Sequence, residues 1–177
     1  MGPDRPQRPF EPRGLIANDL PEPDLANAER QRCLFSATAT AGDIPPDTTL
    51  PDGSVLRYAD GLCLSQQVFW AINRQVWPLA GHERLPPPLD TFVRGRTYVL
   101  ELVNGTPQQH PIHLHGMSFK VIKPNRGLPV HWADTVLLGP KDRVEVAFVA
   151  DNPGDWMLHC HIIEHQETGM MGYVRVA

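Results

Sequence analysis

The sequence lacks the features that would send it to a membrane or to nucleic acid. No window approaches the roughly 18 uninterrupted apolar residues that a spanning helix needs. The opening MGPDRPQRPF has no apolar stretch of the kind an export signal requires. There is no run of Lys or Arg, and the net charge is −4, so the basic face that nucleic acid or an anionic membrane demands is missing. No internal repeat is evident, and 177 residues suit one globular core with an extended arm. Cysteine is scarce as well. Of three, Cys160 lies between two histidines, which leaves Cys33 and Cys63 either as a bridge or as separately buried thiols. In an oxidising compartment the bridge would contribute about 3.5 kcal/mol.

Helical periodicity is also missing from most of the chain. Residues 1–52 carry prolines from Pro3 and Pro6 through to Pro45 and Pro46, and are predicted as a Pro-rich arm or linker. Within them only Leu25 to Leu34, with Asp24 as a candidate N-cap, is expected to form a short helix. Residues 53–177 read differently. SVLRYAD, QVFWAINRQVW, RTYVLELVN, SFKVIK, DTVLL, RVEVAFVA, DWMLHC and GYVRV are short runs rich in β-branched and aromatic residues. Turn residues such as Asn104-Gly105, Gly139-Pro140 and Asn152-Pro153-Gly154 separate them. The expectation is an all-β sandwich or barrel.

What is abundant is histidine, in two places. His110, His113 and His115 fall in HPIHLHG, and His159, His161 and His165 in HCHIIEH, leaving only His82 and His131 as ordinary isolated histidines. Residues two apart on an extended strand point to the same side. His113 and His115 therefore face together, as do His159 and His161, and Cys160 points the opposite way. On that opposite side the sequence offers the Cys160 thiol, His165, the Met170 thioether and His110, which is at odd spacing from His113. Two imidazoles, a thiolate and a weak thioether are the ligands of a blue copper electron-transfer centre, and zinc rarely recruits a thioether. Core packing is the alternative role for Met170. Gly169 would let the loop after His165 turn back toward the metal.

HPIHLHG and HCHIIEHQETGMM are similar to the motifs that end the last domain of the multicopper oxidases, the laccase, ascorbate oxidase and bilirubin oxidase family. The resemblance covers about residues 65 to 177, with QVFWAINRQVW similar to early strands of that domain. It implies a cupredoxin-like (plastocyanin-like) Greek-key β-sandwich or barrel. It implies that His110, Cys160, His165 and Met170 bind a type 1 copper, His113 the type 2 copper, and His115, His159 and His161 the type 3 pair. The family takes electrons from a small reducing substrate at the type 1 copper and reduces dioxygen to water at the three-copper cluster. Cys160 and its neighbours His159 and His161 would carry the electrons between the two.

The same resemblance implies that half the cluster is absent. Four more histidines, as two His-x-His pairs, come in this family from an N-terminal cupredoxin domain, and neither His82 nor His131 forms such a pair. The expected partner is that N-terminal domain, and the chain alone is expected to be inactive. A stand-alone type 1 electron carrier is the alternative, but a carrier has no use for His113, His115, His159 and His161. The inactive remnant of a split gene is another. Several bacterial relatives carry a proton-feeding glutamate immediately after the histidine matching His165, where this chain has Gln166. The flanking Glu164 and Glu167 read as solvated loop charges. A periplasmic or secreted location is expected from the family, with the natural N-terminus expected upstream of Met1.

Overall fold

The computed structural model describes residues 19–37, 48–49, 55–56, 69–78, 81, 83–125 and 127–177. Among them the first strands are β1 (Glu29–Ala37), β2 (Thr48–Thr49), β3 (Val55–Leu56), β4 (Trp70–Ile72) and β5 (Asp90–Phe92). There follow β6 (Thr97–Asn104), β7 (His110–Leu114), β8 (Phe119–Lys123), β9 (His131–Ala133) and β10 (Thr135–Leu138). The chain ends with β11 (Arg143–Val149), β12 (Gly154–Cys160), the one-turn helix α1 (Ile163–Glu167) and β13 (Met171–Val176). Six strands form one sheet in the order β4-β1-β6-β11-β8-β9, and five form a second in the order β10-β7-β12-β13-β5. β2 and β3 pair separately.

Period-two alternation makes each sheet apolar on one face. The first sheet turns Phe35, Tyr98, Leu100, Val146 and Phe148 into a core that Ile112, Leu114, Leu158, Cys160 and Val174 enter from the second. Phe92 bridges the sheets, its ring centroid 4.3 Å from Tyr98 and 5.5 Å from Phe148. The result is the cupredoxin-like β-sandwich expected above, and it places Cys160 on the inner face of the second sheet.

Two expectations fail at the N-terminal end. The helix expected over Leu25 to Leu34 does not form: Leu25 to Asn27 are turn and bend, and Glu29 onward is strand β1, which pairs in parallel with β6 from Glu29↔Tyr98 to Phe35↔Asn104. Residues 1–52 are accordingly not an arm throughout, since β1 is an integral strand of the larger sheet. Long-range pairing overrides the local signal: Cys33 and Phe35 alternate into the core, while Arg30 and Arg32 bond Glu145 and Glu101 on the outer face at 3.1 and 2.6 Å. Asp24 caps only a turn, accepting from Ala26 N–H at 3.1 Å and Asn27 Nδ2 at 2.7 Å.

Among the described residues of QVFWAINRQVW only Trp70–Ile72 form a strand, which ends where Asn73 and Arg74 take positive φ of 51° and 64°. They form a two-residue hairpin turn, closed by hydrogen bonds between Ile72 and Gln75 in both directions. Cys33 is a buried free thiol. Cys63, the other half of the possible bridge, lies outside the described residues, as does His82. No helix among the described residues is long and apolar enough to cross a membrane.

Candidate metal centre

The site is built where β7 and β12 run side by side. Their antiparallel register sets His159 opposite His113, Cys160 opposite Ile112 and Leu158 opposite Leu114. Directly opposed residues share a face of the sheet. His113 and His159 therefore stand together on the outer face, while Cys160 turns inward among Ile112, Leu114 and Leu158, each at most 1% exposed. One tripeptide, His159 to His161, thus serves two sides of the sheet, as its spacing predicts.

On the inner side, Cys160 Sγ is 3.7 Å from His110 Nδ1 and 3.6 Å from His165 Nδ1, and the two nitrogens are 3.1 Å apart. His110 opens β7 two residues before Ile112, which sends it inward. His165 arrives on α1, the single turn after β12. Cys160 N–H donates to Met170 O at 3.1 Å and Met170 N–H to His165 O at 2.8 Å, so the segment from Cys160 to Met170 folds back on itself. Gly169, at φ 121°, makes that return. Met170 is fully buried in the same core cluster as Cys160. The Trp70 ring covers both imidazoles, with centroids 5.2 Å from His110 and 4.3 Å from His165.

These residues fit a metal ion. Ligands spread trigonally at about 2.0–2.1 Å (nitrogen) and 2.3 Å (sulfur) from one centre put each nitrogen about 3.7–3.8 Å from the sulfur and the two nitrogens about 3.5 Å apart. The two N–S distances observed, 3.6 and 3.7 Å, match closely, and the N–N distance of 3.1 Å is shorter by a few tenths of an ångström. Burial, and then the neighbouring His165, lower His110 to about 4, and burial also lowers His165. Both rings are therefore neutral at pH 7, with a lone pair to give. Burial pushes the Cys160 thiol up to about 11, opposed by the N–H of Ile162. A soft cation binding here would displace that proton.

On the outer side four rings gather. His113 is 4.6 Å from His115, 5.6 Å from His159 and 5.5 Å from His161, centroid to centroid, and His115 is 5.1 Å from His159. His113 Nδ1 bonds the Asp134 carbonyl at 3.0 Å, and His159 Nδ1 the Cys160 carbonyl at 2.9 Å. A carbonyl only accepts, so each Nδ1 carries the proton and each Nε2 keeps a lone pair for a ligand. Burial, followed by the neighbouring imidazole His113, lowers His115; burial lowers His159 too. The face opens into a concavity of about 620 Å³ bordered by His113, His115 and Asp134.

With this geometry established, the family model for multicopper oxidase matches residues 66–177. The chain belongs to the multicopper oxidases. It is 35% identical over 144 residues to multicopper oxidase MmcO of Mycobacterium tuberculosis, covering 77% of this chain but 25% of that protein. Laccase-5 of Trametes villosa is 40% identical over 73 residues, 38% of this chain and 14% of the laccase. Among solved structures, the multi-copper oxidase of Pseudomonas thermotolerans superposes with a TM-score of 0.69 at 35% identity, over 92% of this chain and 33% of the other. The multi-copper oxidase of Pseudomonas parafulva does so at 0.65 and 38%, over 94% and 34%. The chain thus spans about a quarter to a third of these bacterial multicopper oxidases, a family whose metal is copper.

In this multicopper oxidase all eight residues expected as ligands fall into the two groups: His110, Cys160 and His165 inside with Met170 buried beside them, and His113, His115, His159 and His161 outside. His131 lies apart on β9, bonded to Pro129 O at 2.8 Å. Glu164 and Glu167 are exposed, and Gln166 Nε2 donates to Glu167 Oε1 at 3.3 Å. Three residues escaped sequence reasoning. Trp70 is one; Thr106 and Asn104, behind His110, are the others. Their only sequence signal is a hydroxyl and an amide within one loop of a ligand, which is too common to single out.

Proposed function

We propose that this chain is the C-terminal cupredoxin domain of a laccase-like multicopper oxidase. In this reading His110, Cys160, His165 and Met170 hold a type 1 copper. His113, His115, His159 and His161 are half the ligand shell of a trinuclear cluster, with His113 toward its type 2 copper, completed by an N-terminal cupredoxin domain. The observation that carries the reading is Cys160: its sulfur is 3.6–3.7 Å from two buried imidazoles, while its chain neighbour His159 stands opposite His113 on the other face. Copper bound to these groups would supply one-electron redox chemistry inside and dioxygen reduction to water outside.

The protein contributes the path between them. His165 is the inner ligand nearer the surface, with 8% of its side chain exposed against none of His110, so a small reducing substrate docks on its side. Cys160 joins that side to the outer histidines through the backbone, and its carbonyl also accepts the His159 Nδ1–H at 2.9 Å. The core around Cys160 excludes water from this segment. Four histidines are half the eight that a closed cluster needs, so the chain alone is inactive and the N-terminal domain docks on the histidine face. A periplasmic or secreted setting belongs to the same proposal.

Copper loading tests the inner site. The wild-type chain should bind about one tightly held copper, turn blue from thiolate-to-copper charge transfer and give a narrow-hyperfine resonance signal. Cys160→Ser should lose both signatures. Copper-loaded wild type with neither removes the type 1 assignment.

A further inference from the structure

His110 is held from behind by a polar network with no counterpart, among the described residues, at His165. His110 Nε2, on the ring edge away from Cys160, lies 2.6 Å from Thr106 Oγ1. The same hydroxyl is 2.8 Å from Asn104 Oδ1 and accepts Gln108 N–H at 3.2 Å. Asn104 is oriented unambiguously: its Nδ2 donates to Gln108 O at 2.7 Å and Gly139 O at 2.8 Å, and its Oδ1 accepts Thr106 N–H at 2.8 Å. An amide oxygen can only accept, so the Thr106 hydroxyl proton points to Asn104. If that proton went instead to His110 Nε2, at 2.6 Å, two oxygens, Thr106 Oγ1 and Asn104 Oδ1, would face each other at 2.8 Å with no proton between them. The remaining acceptor, Gln108 O, is farther at 3.4 Å.

With its proton committed, Thr106 Oγ1 can only accept from His110 Nε2, and a neutral imidazole has a single N–H. Nδ1 is thereby left with its lone pair, aimed at Cys160 Sγ and His165 Nδ1. His165 has no such device: its Nε2 is 3.8 Å from the exposed Glu164 carboxylate, beyond hydrogen-bond range. Asn104 ends β6, and its N–H bonds Asp142 O at 3.0 Å, so the network is anchored to the sheet rather than to a free loop. Thr106 and Asn104 are 2% and 1% exposed, which keeps water from substituting for either.

We propose that Thr106, backed by Asn104, is a positioning residue that locks His110 in its Nε2–H tautomer and commits Nδ1 to the metal. The inference rests on the type 1 reading of the inner site. Thr106→Val keeps the shape and removes the hydroxyl; Thr106→Ser keeps the hydroxyl and removes the methyl. Copper affinity, measured by chelator competition in the full chain, should fall about 10–100-fold in Thr106→Val, the usual effect of losing such an outer partner. Thr106→Ser should bind close to wild type, with the same thiolate-to-copper band.

Thr106→Val binding as tightly as wild type overturns the proposal, and so does Thr106→Ser binding as weakly as Thr106→Val, since packing would then be the cause. Nitrogen-15 NMR of metal-free wild type tests the same point without a mutation. His110 should carry its proton on Nε2, and an Nδ1–H ring overturns the inference even if Thr106→Val does not fold. A wild type that never turns blue defeats the type 1 reading instead, and the tautomer still decides the network.

Discussion

Gly116→Ala should destabilise the domain sharply, and the structure separates the cost into two parts. Gly116 follows His115 at the end of HPIHLHG and takes φ +72°. An alanine there pays about 1–2 kcal/mol for left-handed backbone. Its Cβ would also lie 2.0 Å from Trp156 Cδ2 and 2.3 Å from Cε3. Trp156 cannot swing away freely, because its Nε1 donates to Asn152 O at 2.8 Å and Asn152 Nδ2 donates back to Gly116 O at 2.8 Å. Forcing a methyl into that contact adds about 1–3 kcal/mol. The total is about 2–5 kcal/mol, a melting temperature lower by roughly 4–20 °C for a chain of this size. Gly95→Ala is the control: φ is +82° but nothing lies within 4 Å of the added Cβ, so only the backbone part applies. Thermal unfolding followed by circular dichroism should rank wild type above Gly95→Ala above Gly116→Ala. Equal melting temperatures for the two variants would refute the Trp156 clash.

Met170→Leu should retain copper and cost under about 1.5 kcal/mol of stability, since it conserves volume in the core. Its reduction potential should rise, because a weak axial donor favours the oxidised metal; a lower or unchanged potential makes Met170 a packing residue. Cys33, buried in the core with burial pushing its thiol up to about 12, should resist alkylation at pH 8 in the folded chain and react once urea unfolds it. Peptide mapping that finds it labelled equally fast in both states would contradict its place in the core.

The outer group and the inward turn of Cys160 were legible in the sequence because they depend on spacing within a strand, where period two is the most reliable geometry a short β segment has. His165 and Met170, on α1 and in the loop after it, were legible only as donor types and through the resemblance of the motif. What spacing cannot supply is register between strands. That His159 stands opposite His113, so that two motifs separated by some forty residues make one surface, depends on which strand β12 chooses as neighbour. The same blindness accounts for β1. Its proline-rich surroundings and the Asp24 signal describe local preference, while its parallel ladder with β6 is set by distant partners. Asn73 and Arg74 were hidden differently: an Asn-Arg pair is a weak turn signal, and only the contacts of Asn73 with β1, to Leu34 N–H at 2.8 Å and Arg32 O at 3.1 Å, make the hairpin specific. Thr106 and Asn104 matter through a chain of hydrogen bonds whose direction appears only when every donor has been placed.

Oxygen uptake tests the central claim most directly. The purified chain, loaded with copper and given a laccase substrate, is followed on an oxygen electrode alone and after mixing with a matching N-terminal half that carries two His-x-His pairs. The chain alone should show no water-forming activity. The mixture should gain it, with copper tightening the association of the halves because the shared ligands bind metal only when together. Substantial four-electron reduction of oxygen by the isolated chain would contradict the half-cluster reading.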